Sequence, residues 1–139
     1  MASELESAAG RRGFLAMLLA GLVPAAGSAA PPASRVVFDR DAPNADLTGW
    51  KFVAVELTFA PGSPSARHLH PGFVLGYVLE GDFRFQLEGQ PEAVYHTGEM
   101  FYEPLASHHI VGESAMPGKS ARVLAIVFGE KGKPLTVPL

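Results

Sequence analysis

Histidines two residues apart in an extended chain project from the same face, and His68 and His70 have that spacing in RHLHPGFVLGYVLEG, Arg67 to Gly81. Two imidazoles on one face make half a metal site. A further pair, His108 and His109, follows a proline turn in EPLASHHIV at the start of another apolar run, so a strand distant in sequence can bring another imidazole to the first two. The chain has no cysteine, which leaves nitrogen and oxygen as its metal donors and excludes thiolate chemistry and disulfides. Histidine pairs also sit hydrogen-bonded on protein surfaces, so the spacing by itself leaves both uses open.

The segments that must position these side chains read as short strands. Val53, Val55, Leu57 and Phe59 alternate with Phe52, Ala54, Glu56 and Thr58, the two-residue period of a strand. Val74 to Leu79, Phe83 to Leu87, Ala93 to Tyr95, Met100 to Tyr102, His109 to Val111 and Val123 to Phe128 follow at close spacing, bounded by Gly, Pro, Asp or Ser. No stretch after the first thirty residues keeps a helical period. Short strands separated by turn formers predict an all-β sandwich or barrel.

A length of 139 residues predicts one domain with a leading segment. The 47% hydrophobic content with 12 prolines and 15 glycines fits a globular, turn-rich chain, and a net charge of -3 gives no electrostatic basis for binding nucleic acid or an anionic membrane. The N-terminus differs from the rest: Arg11 and Arg12 precede an apolar run from Phe14 to Val23, then small residues to Ala30. That run is half the roughly 20 residues a membrane span needs, and Pro24 and Gly27 interrupt it. Residues 1–29 therefore read as an export signal, with 30–139 as the mature domain and no stable membrane span. GRRGFLA resembles the bacterial twin-arginine signal, although Gly10 and Ala16 depart from its usual residues. A periplasmic or secreted protein is implied.

Taken together, the histidines and the glycines around them resemble the cupin superfamily in its small single-domain form. Gly62, His68, His70 and Gly81 fall at the spacing of the first cupin motif, and Gly98, Pro104 and His109 at that of the second. The resemblance spans Pro61 to Phe128. Three positions depart from it: Val74 stands where the first motif has a glutamate, Ala106 where the second has a glycine, and the second motif's later asparagine is absent unless Ser114 takes its place. The resemblance implies a double-stranded β-helix, a jelly-roll barrel, with His68, His70 and His109 converging on a divalent transition metal: iron, manganese, nickel, cobalt, zinc or copper. It also implies Glu103 as an orienting or acid–base group, Gln86 as a supporting group or weak fourth ligand, and a homodimer formed through the N-terminal strand SRVVFD, Ser34 to Asp39. His96 and His108 fall on no motif position.

Valine cannot coordinate a metal, so the resemblance implies a three-His site. Three neutral imidazoles leave the ion's charge uncompensated, and open positions there suit a small anionic or enolisable molecule. Gly76 follows Val74 on the same face and is expected to make room beside it. Cupins of this kind include dioxygenases, isomerases, decarboxylases and binding modules. The expected function is a metal-dependent, dioxygenase-like enzyme, the alternative being a non-catalytic module that binds a small molecule or metal outside the cytoplasm.

Overall fold

Alternating apolar side chains need a second layer to bury them, and in the computed structural model, which describes residues 33–139, two antiparallel sheets supply it for each other. The export-signal reading, and the first residues of the mature domain, lie outside the described residues. The strands are β1 (Trp50–Phe59), β2 (His68–Leu69), β3 (Phe73–Glu80), β4 (Asp82–Leu87), β5 (Ala93–His96), β6 (Met100–Glu103), β7 (His108–Ser114), β8 (Ala121–Glu130) and β9 (Val137–Pro138). One sheet has the order β1-β8-β3-β6 and the other β5-β4-β7-β2-β9. Neighbours distant in sequence alternate between the sheets, giving the double-stranded β-helix that the motifs imply.

The core lies between the layers. Phe59, Val78, Phe101, Ala121 and Val123 from the first sheet meet Phe83, Phe85 and Leu87 from β4 of the second. Strand β4 alternates buried Phe83, Phe85 and Leu87 with outward Asp82, Arg84 and Gln86, so one face carries the core and the other faces away from it. A second cluster of Val74, Ala125 and Val127, with Leu135 packed on it, lies farther along the first sheet.

Turns set the register that aligns the site. Gly62 and Gly98, which open the two motifs, have φ of 67° and 88°, a left-handed backbone that glycine adopts without a Cβ clash. Ala106 adopts the same region at φ 56°, as a non-glycine residue. Its amide donates to the carbonyls of both His70 and Gly72, tying the β6–β7 turn to the segment that carries the histidines.

Candidate functional site

Strand β2 sits between β7 and β9, and its register places His68 directly opposite His109. His70 follows one residue beyond the strand. The rings of His68 and His70, and those of His68 and His109, have centroids 4.9 Å apart. The fold thus brings the rings of His68, His70 and His109 close together, and His109 rather than His108 is the buried one of its pair.

Each of the three rings has one nitrogen against a main-chain carbonyl. His68 Nδ1–H donates to Ala66 O at 2.8 Å, His70 Nδ1–H to Leu135 O at 2.7 Å, and His109 Nε2–H to Val111 O at 2.6 Å. A carbonyl oxygen only accepts, so each of these nitrogens carries a hydrogen, the single one that a neutral imidazole has. The bare nitrogens are then His68 Nε2, His70 Nε2 and His109 Nδ1. His68 Nε2 and His70 Nε2 face each other at 3.2 Å, two acceptors with no hydrogen to share. A proton or a metal ion shared by the two relieves that opposition. Burial lowers the pKa of His70, its bond to Leu135 partly offsets this, and the nearby His68 lowers it further, so the net shift weighs against the proton.

Burial, with further contributions from His68 and His70, pushes His109 down to about 4, against the opposing bond to Val111, so this ring is neutral near pH 7. Its Nδ1 is buried without a hydrogen-bond partner, as is Glu103 Oε2. Glu103 Oε1 lies 3.7 Å from His109 Nδ1, beyond hydrogen-bonding distance. Desolvation alone pushes the Glu103 carboxyl up to about 7. Among the described residues no three His, Asp or Glu side chains reach coordination geometry. The chemistry of the donors nevertheless fits a divalent ion. Three imidazoles have fixed tautomers and bare nitrogens, and each N–H is held by a backbone carbonyl, the arrangement that orients metal-binding histidines. A buried carboxyl group with an unpartnered oxygen stands beside them.

The motif's glutamate position on β3 is Val74, and the buried carboxyl group of the site is that of Glu103 on β6. Val74 and Glu103 are directly opposed in the β3–β6 register, so their side chains share a face. Glu103 lines the same cavity as the three histidines, a space of about 280 Å³. Val74, only 1% exposed, packs behind with Ala125 and Val127.

Two expectations are corrected. Gln86 lies on the outward face of β4 and donates to Gln90 O at 2.9 Å, so it neither lines the cavity nor offers a fourth ligand. Gly76 does not open space: a Cβ there would stand 2.0 Å from Phe101 Cζ, so the missing side chain is what lets the Phe101 ring pack against β3. His96 and His108 lie outside the cavity, paired with Asp82 and Glu88 at 2.8 Å and 2.7 Å. The residues that hold the rings were not foreseen. Ala66, Val111 and Leu135 act through backbone oxygen, which carries no side-chain signal, and Thr136 Oγ1 lies 3.2 Å from His70 Nδ1.

Comparison with known proteins bears on the fold. The sequence profile of the cupin domain matches residues 55–127. No curated protein matches the chain. Among solved structures, a cupin-like protein from Thermotoga maritima is 21% identical with a TM-score of 0.55, the match covering 63% of this chain and 64% of that one. The DMSP lyase DddQ from Ruegeria pomeroyi is 20% identical, TM-score 0.55, over 63% of this chain and 42% of that one. Bacillus subtilis oxalate decarboxylase, described with Mn(II) centres, is 24% identical, TM-score 0.55, over 63% of this chain and 24% of that one. The matches thus span less than two thirds of each of these relatives.

Proposed function

The chain belongs to the cupin domain family, and from that premise we propose that it is a metal-dependent enzyme, dioxygenase-like, acting on a small molecule at a site held by His68, His70 and His109. The observation that carries this reading is the pair of bare Nε2 atoms of His68 and His70, 3.2 Å apart, each fixed by a carbonyl behind it. A divalent ion bound there supplies Lewis-acid polarisation of a substrate oxygen and an open position for it. The chain's own groups do the rest. The three backbone carbonyls keep the imidazoles oriented. Glu103, whose carboxyl burial pushes up to about 7, can take a proton from an enolisable substrate or return one. Buried Phe83 and Phe101 in the cavity wall help to exclude water.

Metal analysis of protein purified from its native compartment tests the reading, followed by oxygen uptake with a panel of chelating diketones and phenols. We expect about one divalent ion per chain, lost in His70→Ala. Full metal content in His70→Ala would overturn the site. Retained metal without turnover of any candidate would assign the protein as a binding module. The Arg11–Arg12 signal supports a periplasmic or secreted location by the twin-arginine route, in which the domain folds before export. Replacing both arginines by lysine should hold the precursor in the cytoplasm on fractionation, and normal export of that variant would refute the route.

A further inference from the structure

The cavity that holds the histidines has six polar lining residues, Ser65, His68, His70, Glu103, His109 and Thr136, and is otherwise apolar. Its walls follow from the register of β1, β8, β3 and β6. One row across the first sheet is Val127, Val74 and Glu103, the next is Ala125, Gly76 and Phe101, and beyond it Val123 pairs with Val78. Strand β1 continues these rows, with Val55 opposite Ala125 and Leu57 opposite Val123. Glu103 therefore marks the polar end of these rows, and each step away from it brings only hydrocarbon. Phe59 and Phe83 close the far side with ring centroids 4.8 Å apart, and Phe83 and Phe101 are 5.3 Å apart. Val55 and Leu57 line the cavity yet remain 39% and 40% exposed, so the open side too is apolar.

No lysine or arginine lines the cavity among the described residues. The nearby arginines are engaged outside it: Arg67 with Glu88, Arg84 with Glu92 and Glu113, and Arg122 with Glu56 and Glu80. A charged group on the body of a ligand would lose its water and gain no partner, a cost that rises steeply for an ion in apolar surroundings. An uncharged body would gain from the same walls.

We propose that this site takes an uncharged molecule with a single oxygen-bearing head and an apolar body, the head at the His68, His70, His109 and Glu103 end and the body along Val55, Leu57 and Val123. This rests on the functional reading above and narrows it, selecting the enolisable class over the anionic one. A cavity of about 280 Å³ is roughly twice the 150 Å³ that accommodates benzene, so a ligand of about a dozen non-hydrogen atoms fills it.

Three hydroxamic acids separate head, body and charge in calorimetric titrations of the metal-loaded protein. Acetohydroxamic acid has the head alone, benzohydroxamic acid adds an apolar ring, and 4-carboxybenzohydroxamic acid adds a carboxylate to that ring. We expect benzohydroxamic acid to bind at least tenfold tighter than acetohydroxamic acid, and the carboxylate to remove that gain. Leu57→Gln, at a half-exposed edge position that tolerates polarity, should shrink the ratio several-fold while leaving acetohydroxamic acid unaffected. Equal affinities for the first two, tighter binding of the carboxylate compound, or no binding of any of them to protein that assays as metal-loaded would overturn the inference. Failure of the metal reading looks different. The protein would then assay as metal-free after incubation with metal, the common head would add nothing, and the preference for the ring over acetohydroxamic acid would persist.

Discussion

Val74, at the motif's glutamate position, and Glu103 face each other across the β3–β6 pair. Read from the motif alone, Val74→Glu restores a ligand. In the structure it sets a second carboxyl group beside Glu103, on the same face and directly across the strand pair, and two carboxyls in a buried site cannot both ionise without a cation. Val74→Glu should therefore lower the thermal midpoint of the metal-free protein by several degrees and recover it when metal is added. Moving the group, in Val74→Glu/Glu103→Gln, should leave metal affinity within a few-fold of wild type. A loss of more than tenfold in the double variant, measured by competition with a chelating dye, would show that the two positions are not equivalent. The same residue scale governs pH dependence. Glu103 holds its proton to about pH 7 in the folded state against 4.5 ordinarily, so its contribution to stability is complete below 4.5 and lost as pH rises through 7. His109 is depressed to about 4 from 6.5, so its contribution is complete above 6.5 and lost as pH falls through 4. The two slopes oppose each other. Glu103→Gln removes the first, and the metal-free variant should gain about 2 kcal/mol at pH 8 relative to pH 5 compared with wild type. Urea denaturation at the two pH values reads this directly, and an unchanged difference would show that Glu103 is not buried as described.

At the scale of elements, Ala106 is the position where a departure from the motif costs the fold. Its left-handed φ of 56° carries a Cβ where glycine has none, a strain of about 1–2 kcal/mol. Ala106→Gly relieves it but gives the unfolded chain more freedom, which offsets about 0.4–1 kcal/mol. The balance predicts a thermal midpoint higher by a few degrees for Ala106→Gly and a much lower one for Ala106→Val, because a β-branched residue fits that region worst. A destabilised glycine variant would mean that the turn is held by something other than its φ. Legibility follows a similar line. The longer strands were legible because Val53 to Phe59 and Phe83 to Leu87 alternate, and the histidines because two motifs fix their spacing. Strand β9 was not, since two residues show no period. The side taken by Gln86 was not, because alternation separates two faces without saying which one a second sheet covers, and here Phe83, Phe85 and Leu87 take the covered one. Gly76 was misread for a related reason: what fills the space beside a glycine is decided by its cross-strand neighbour, Phe101, and pairing between strands this far apart is written in no local pattern.

At the scale of the whole molecule, the apolar surface is unevenly distributed. Phe52 on β1 is exposed, and β1 forms an edge of its sheet, a ten-residue row of backbone groups with a neighbour on one side only. Ahead of it, Ser34 to Asp39 belongs to no strand, and no backbone hydrogen bond joins it to another described residue. Its sequence is nonetheless strand-like, and Val36 is 81% exposed. The segment stays near the barrel wall, where Arg40 lies over the Tyr102 ring at 4.5 Å. A β-forming segment whose backbone groups are unpaired among the described residues, with an uncovered valine, is suited to pairing with another chain. We propose that a second copy of this protein takes it up, with the Ser34 to Asp39 strand of each chain adding to the sheet of the other. Exchange of this kind buries the same surface twice and closes on a two-fold axis, so it should give a discrete dimer and not an open series. Sedimentation at micromolar concentration should show twice the mass of the chain used. Removing residues 33–39 should return a monomer with an unchanged β-sheet circular dichroism spectrum, since none of those residues lies in the two core clusters. A full-length mature chain that sediments as a monomer would refute the exchange. A dimer that survives the deletion would move the interface elsewhere, with the β1 edge and Phe52 next to be tested by Phe52→Lys.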